Sequence, residues 1–163
     1  MKRFLAGLVV VSALLGAGSI ARAGDYEKGY EAYIRGQFDA ARTFWEAAAA
    51  AGEVKALNNL AWLYLKGDGV AQDYAVAAEW LRRAAVRGLA VAQRTLGVMY
   101  AQGHGVPRDL AAAYMWSKIA AENGNASAGK LQAALAAKLT PAETAEAAAR
   151  AENCLASDYR DCE

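Results

Sequence analysis

The chain contains "KGDGVAQD" at residues 66–73, and a closely similar segment, "QGHGVPRD", at residues 102–109. Each segment has two glycines around one variable residue, then a valine and, three residues later, an aspartate. The second segment begins 36 residues after the first (102 − 66). A phosphate-binding glycine loop is normally built once, whereas a turn that recurs at a fixed spacing is typical of a repeat protein. We therefore interpret both segments as turns between helices.

The spacing of 36 residues extends to both sides of the two glycine segments. The residues before each turn recur at i, i+4 and i+8, which places them on one helical face. Small residues on both helices allow close antiparallel packing, the glycines end the first helix, and the aspartates suit the start of the second. The matched pairs are Ala56/Ala92, Leu60/Leu96, Ala61/Gly97, Tyr64/Tyr100, Gly67/Gly103, Asp73/Asp109, Ala77/Ala113, Trp80/Trp116, Ala84/Ala120, Ala85/Ala121 and Gly88/Gly124.

Two further units flank this pair and complete an all-α prediction. Upstream, Tyr33, Gly36 and Phe44 fit the pattern, but this unit lacks the G-x-G-V turn. Downstream, we expect a helix over residues 125–138 and a last helix opened by "TPAE" at residues 140–143, which has the form of a capping box. The alanine-rich composition has only two prolines and no strand-like alternation. The sequence therefore predicts eight helices in four hairpins.

The first residues have the pattern of a secretory signal. Lys2 and Arg3 precede an apolar run over residues 4–18, and Ala21-Arg22-Ala23 offers small residues at both positions that a signal peptidase reads. The run is shorter than the ~20 residues of a membrane span. We predict that residues 1–23 are removed, so that residues 24–163 are periplasmic or secreted without stable membrane insertion.

The repeated pattern A-x3-L-[GA]-x2-Y-x2-G-x-G-V-x2-D-x3-A-x2-W-x3-A-A-x2-G resembles the Sel-1-like repeat (SLR), a relative of the tetratricopeptide repeat. The two strong copies cover residues 55–124. The resemblance implies a right-handed α-solenoid that binds other proteins. Its expected units are a short first unit at 24–52, repeats at 53–88 and 89–124, and a divergent C-terminal cap at 125–163.

The two cysteines, Cys154 and Cys162, both lie at the C-terminal end. In an exported protein an even pair predicts a disulfide. Cysteine-rich SLR proteins use this spacing to tie the end of one hairpin to the next helix. The inner repeats of this chain have no cysteine, so the bridge would act as an end cap.

The resemblance also predicts a binding surface, because an α-solenoid exposes a concave face lined by the first helix of each hairpin. Aliphatic, aromatic and hydrogen-bonding groups together suit a protein or peptide partner. Trp62 is predicted to be its exposed anchor, since it points about 200° away from the apolar stripe of its helix. The competing interpretation is packing on the neighbouring unit, against Ile34. The predicted binding residues are Lys55, Asn58, Trp62, Leu65, Arg94 and Val98, with Val91, Ala101, Glu31 and Ile34 beside them.

Other functions receive less support. A net charge of +1 gives no electrostatic case for nucleic acid, and a single histidine, His104, excludes most histidine-based metal sites. We expect no cofactor, no metal and no catalytic residue. "GNASAGKL" at residues 124–131 lacks the Ser or Thr of a P-loop. It does contain Ser127-x-x-Lys130, so a penicillin-binding or β-lactamase-like hydrolase is the alternative, although Ser-Asp-Asn and Lys-Thr-Gly partners are lacking. A structural part of an envelope assembly is a third hypothesis.

Overall fold

The computed structural model describes residues 24–162, so the predicted signal at residues 1–23 lies outside the described residues. The described part contains eight α-helices and no strand, which confirms the all-α prediction. The helices are α1 (Asp25–Ile34), α2 (Phe38–Ala50), α3 (Val54–Lys66), α4 (Tyr74–Ala85), α5 (Ala90–Gln102), α6 (Leu110–Glu122), α7 (Ala128–Ala136) and α8 (Pro141–Ala156).

The helices stack in chain order, each packing on the next from α1 to α6. A continuous core of alanine, leucine and aromatic side chains runs through this stack. Beyond α6 the order changes, because α7 and α8 both pack against α6. A smaller cluster of Ala113, Tyr114, Leu135 and Ala147 joins these three helices. The divergent last unit therefore closes the C-terminal end of the solenoid around α6.

The two G-x-G segments are turns between helices, as predicted. Their first glycines, Gly67 and Gly103, end α3 and α5 in the left-handed conformation, with φ of 78° and 74°. The second glycines serve a different purpose, since a Cβ on Gly69 would overlap the side chain of Phe38, and one on Gly105 would overlap the Tyr74 carbonyl group. Each turn therefore lies against the first residue of the second helix in the preceding unit.

Side-chain caps begin the helices that the aspartates and the "TPAE" segment mark. Asp73 Oδ1 accepts hydrogen bonds from the backbone N–H groups of Ala75 and Val76, at 2.9 and 3.0 Å. Asp109 does the same at the start of α6. Thr140 and Glu143 form the reciprocal capping box of α8. These contacts satisfy backbone donors that a helix N-terminus leaves without intrahelical partners.

The core of the first unit contains a buried tryptophan, Trp45. Trp45 is buried, lies against Gly29, and donates its indole N–H to the Tyr26 carbonyl oxygen at 3.2 Å. Phe44, which the sequence aligns with Trp80, is only half-buried. Trp116 is buried, whereas Trp80 is half-buried beneath the guanidinium of Arg83.

The helix after α6 begins later than predicted. We expected it to start near Asn125, but α7 begins at Ala128. The Asn125 backbone N–H donates to the Ala120 carbonyl oxygen, while Asn125 Oδ1 accepts from the N–H of Ser127. Asparagine commonly makes such local hydrogen bonds in turns. Residues 123–127 therefore belong to the turn between α6 and α7.

Candidate functional site

One side of α3 is open to solvent. Lys55, Asn59, Trp62 and Lys66 are spaced at i, i+4, i+7 and i+11, which places them in one stripe along the helix. Trp62 is 39% exposed, although it is one of the largest apolar side chains in the protein. The opposite side of α3 is fully buried, with Leu60 at its centre.

The exposed stripe meets α1 at a small cavity that we call the aromatic pocket. It has a volume of about 130 Å³ and is lined by Tyr30, Tyr33, Trp45, Asn59, Trp62 and Lys66. Among its aromatic walls, the two that reach furthest into solvent are Tyr30, which is 54% exposed, and Trp62. An apolar side chain that enters this pocket would contact aromatic rings from two neighbouring units.

Fixed contacts hold the inner end of the aromatic pocket. The ring centroids of Tyr33 and Trp45 lie 5.6 Å apart, and the Tyr33 hydroxyl donates to Asp68 Oδ2 at 2.8 Å. This hydrogen bond, followed by burial, raises the pKa of the Tyr33 hydroxyl above its ordinary value. At the rim, Lys66 Nζ lies 5.9 Å from the centroid of the Trp62 ring, within cation–π range. The pocket thus combines an apolar interior with a cation at its edge.

The predicted binding residues differ in how far their side chains are exposed to solvent. Lys55 and Trp62 are exposed, whereas Leu65, Arg94 and Val98 are half-buried. Among the neighbouring positions, Val91 and Ile34 are exposed at 40% and 65%, Ala101 is half-buried, and Glu31 pairs with Arg35. Their binding role stays a prediction.

Asn58 corrects one expectation. We predicted that its side chain would be accessible on the concave face, but the residue is buried, with 9% exposed. The reason is its place on the helix: Asn58 lies one turn before Ala61, which is fully buried, so the two share one side of α3. Within residues 24–162, Asn58 Oδ1 has no hydrogen-bond partner.

Of the six residues that line the aromatic pocket, Trp62 alone was among the predicted binding residues. Asn59 and Lys66 lie three residues before and four residues after Trp62, so helical spacing alone places them beside it. No spacing in the sequence placed Tyr30 beside Trp62, because the first unit lacks the G-x-G-V turn by which the other copies are aligned.

The segments considered for catalysis lie apart from the aromatic pocket. Ser127 precedes α7 and Lys130 lies in its first turn, and both are exposed. His104 stacks on Tyr74, with ring centroids 5.0 Å apart. Among the described residues, no group of three His, Cys, Asp or Glu side chains could hold a metal ion.

The C-terminal tail is held by a disulfide between Cys154 and Cys162. Beside it, Asn123 Nδ2 donates to the Tyr159 hydroxyl at 2.7 Å and to Gln93 Oε1 at 2.8 Å. Gln93 is fully buried and donates in turn to the Ala85 carbonyl oxygen. The tail therefore lies over the junction between the two strong repeats.

The helices of residues 24–162 were also compared with the length and hydropathy that a membrane span requires, and none of them meets both requirements.

Comparison with known proteins agrees with this architecture. The Sel1 repeat family matches residues 54–89 and 90–125. A structure of a protective antigen present in uropathogenic Escherichia coli strains, which displays an SLR fold, is 29% identical, with a TM-score of 0.76. The match covers 83% of this chain, which spans only 31% of that protein. No curated protein matches the sequence.

A second structure, of a Sel1 repeat protein from Oxalobacter formigenes, is 35% identical to this chain, with a TM-score of 0.61. The match covers 66% of this chain and 84% of that protein. The sequence period, the stacked helices and this relative together show that the chain belongs to the Sel1 repeat family.

Proposed function

We propose that this protein is a non-catalytic interaction module that binds a segment of another protein on its concave face, with the aromatic pocket as the anchoring site. The Sel1 repeat fold is generally a protein–protein interaction module. The observation that carries the proposal for this chain is the exposure of Trp62 and Tyr30 around one cavity. Exposed aromatic clusters commonly mark interaction surfaces, and Trp and Tyr are enriched among interface hot spots.

The size of the aromatic pocket favours a side chain over a free small molecule. Its volume of about 130 Å³ is well below the ~300–1,000 Å³ of typical small-molecule sites. A single leucine, methionine or phenylalanine side chain is of the right order. The rest of the segment would lie along the exposed parts of α3 and α5, where Lys55, Leu65, Arg94 and Val98 are available.

We also propose that the protein is exported, with residues 1–23 removed as a signal. The disulfide and the lack of a spanning helix in the described part are both consistent with a periplasmic or secreted protein. Intact-mass measurement on protein from its native host tests this, and a mature species that retains Met1 to Ala23 would contradict it.

Peptide selection tests the binding function. A random peptide library displayed on phage is selected against the full chain, and enriched peptides are measured against Trp62→Ala. We expect their affinity to fall by about 2 kcal/mol or more. Trp116→Ala is the matched control, because Trp116 is buried away from the aromatic pocket. Its loss should cost about 3–5 kcal/mol of stability instead of removing a residue of the binding site.

Two results would contradict the proposal. One is a library that yields no enriched peptide on the folded chain. The other is enriched peptides that bind Trp62→Ala as well as they bind the unchanged chain. Turnover of a chromogenic β-lactam that is lost in Ser127→Ala would instead support the hydrolase.

A further inference from the structure

Three helices of the predicted concave face, which we call the inner helices, differ in charge from the rest of the protein, whereas α1, the fourth helix of that face, contains Asp25, Glu27 and Glu31. Helices α3, α5 and α7 contain four cationic residues and no aspartate or glutamate. By contrast, the whole chain is nearly neutral, with 18 basic and 17 acidic residues. We call these four residues the inner cations: Lys55, Lys66, Arg94 and Lys130.

Several cations elsewhere on the surface pair with carboxylates. Lys28 pairs with Asp25 at 3.0 Å, and Arg42 lies between Asp39 and Glu46 at 3.5 and 3.7 Å. Within residues 24–162, no ion pair involves an inner cation. The inner cations can therefore pair with carboxylates that a partner supplies.

Arg94 adds a buried donor to this surface. Its Nε atom is buried and has no hydrogen-bond partner among the described residues. A buried donor without a partner costs free energy, and the guanidinium geometry suits a carboxylate that accepts two hydrogen bonds at once. Arg94 occupies the repeat position equivalent to Asn58, 36 residues earlier, whose Oδ1 is also buried without a partner.

From this pattern we propose that the partner segment is acidic, with carboxylates that meet the inner cations and an apolar side chain that enters the aromatic pocket. This rests on the function proposed above. Lys55 and Lys66 are 11 residues apart on α3, which corresponds to about 16 Å along the helix. About five residues of extended peptide span that distance. One short segment can therefore reach both lysines while a residue between its two ends enters the pocket beside Trp62.

The same phage library tests the charge of the partner. Peptides selected on the unchanged chain should be enriched in aspartate and glutamate around an apolar residue. The double variant Lys55→Gln/Lys66→Gln should bind those peptides about five- to tenfold more weakly, and the difference should shrink as the salt concentration rises. Arg87→Gln/Lys138→Gln is the matched control, since it removes two exposed cations outside the inner helices.

The outcomes separate this inference from the function on which it rests. Enriched peptides that need Trp62 but contain no excess of acidic residues would overturn the acidic partner and leave peptide binding intact. An equal loss of affinity in both double variants would also overturn it, since only net charge would then matter. A single-stranded oligonucleotide that binds and displaces the selected peptides, while unlabelled acidic peptide does not, would assign the inner cations to nucleic acid instead.

Discussion

Replacing Gly105 by alanine measures how strongly a turn is held to the preceding unit. Gly105 has a φ of +70°, a conformation that costs an alanine about 1–2 kcal/mol. Its new Cβ would also overlap the Tyr74 carbonyl group and lie 2.6 Å from the Ala75 backbone nitrogen. Because these atoms belong to the start of α4, relief requires movement of the turn or the helix, at about 1–3 kcal/mol. We expect a total loss of about 2–5 kcal/mol.

Gly124→Ala is the control that isolates the contact. Gly124 has a φ of +87°, but no atom lies within 4 Å of the position that a Cβ would take. It therefore carries the conformational cost without the overlap. Urea unfolding followed by circular dichroism gives both free energies of unfolding. If Gly105→Ala costs no more than Gly124→Ala, the turn does not pack on the preceding unit as we have described.

Three further effects follow from contacts near the C-terminus. Cys154→Ala/Cys162→Ala should lower the free energy of unfolding by about 2–3 kcal/mol, as urea unfolding would show, because the unfolded chain loses a closed loop. The Glu143 carboxylate accepts a hydrogen bond from the backbone N–H of Thr140, which lowers the pKa of Glu143 below its ordinary value of 4.5. The ionised side chain therefore stabilises the fold at pH values above 4.5. The melting temperature of Glu143→Gln should therefore lie below that of the unchanged chain at neutral pH, and the two should converge as the pH falls through the lowered pKa. Asn123→Ala should cost about 1–3 kcal/mol in the same urea assay, since it leaves Gln93 Oε1 buried without its donor.

The repeat spacing was sufficient to predict most of the fold. Aligning the G-x-G-V turns placed the helix ends at Gly67 and Gly103 and the caps at Asp73 and Asp109, where the structure has them. These features are local: a glycine at positive φ and an aspartate at an N-cap act within a few residues, so their sequence pattern is sufficient. The exposure of Trp62 followed from helical geometry in the same way.

Features that depend on a neighbouring element were harder to predict. Asn58 and Asn59 are adjacent asparagines on α3, yet one is buried and the other lines the aromatic pocket, because each faces a different neighbour. The contact of Gly105 with α4 likewise depends on how successive units stack, which no spacing within one unit specifies. Trp45 rather than Phe44 is the buried ring of the first unit, because Trp45 stands 36 residues before the fully buried Leu81, whereas Phe44 aligns with the half-buried Trp80.

The position of the aromatic pocket has a thermodynamic consequence. The pocket lies across the boundary between the first unit and the second, and the first unit is an end of the described stack. No atom lies within 4 Å of the space that a Cβ on Gly36 would fill, so this turn lacks the contact that Gly69 and Gly105 make. End units of a linear array open most readily, because they have a neighbour on one side only. A bound segment would contact both α1 and α3, so binding would stabilise the first unit against opening. Amide hydrogen exchange in the first unit would therefore become slower.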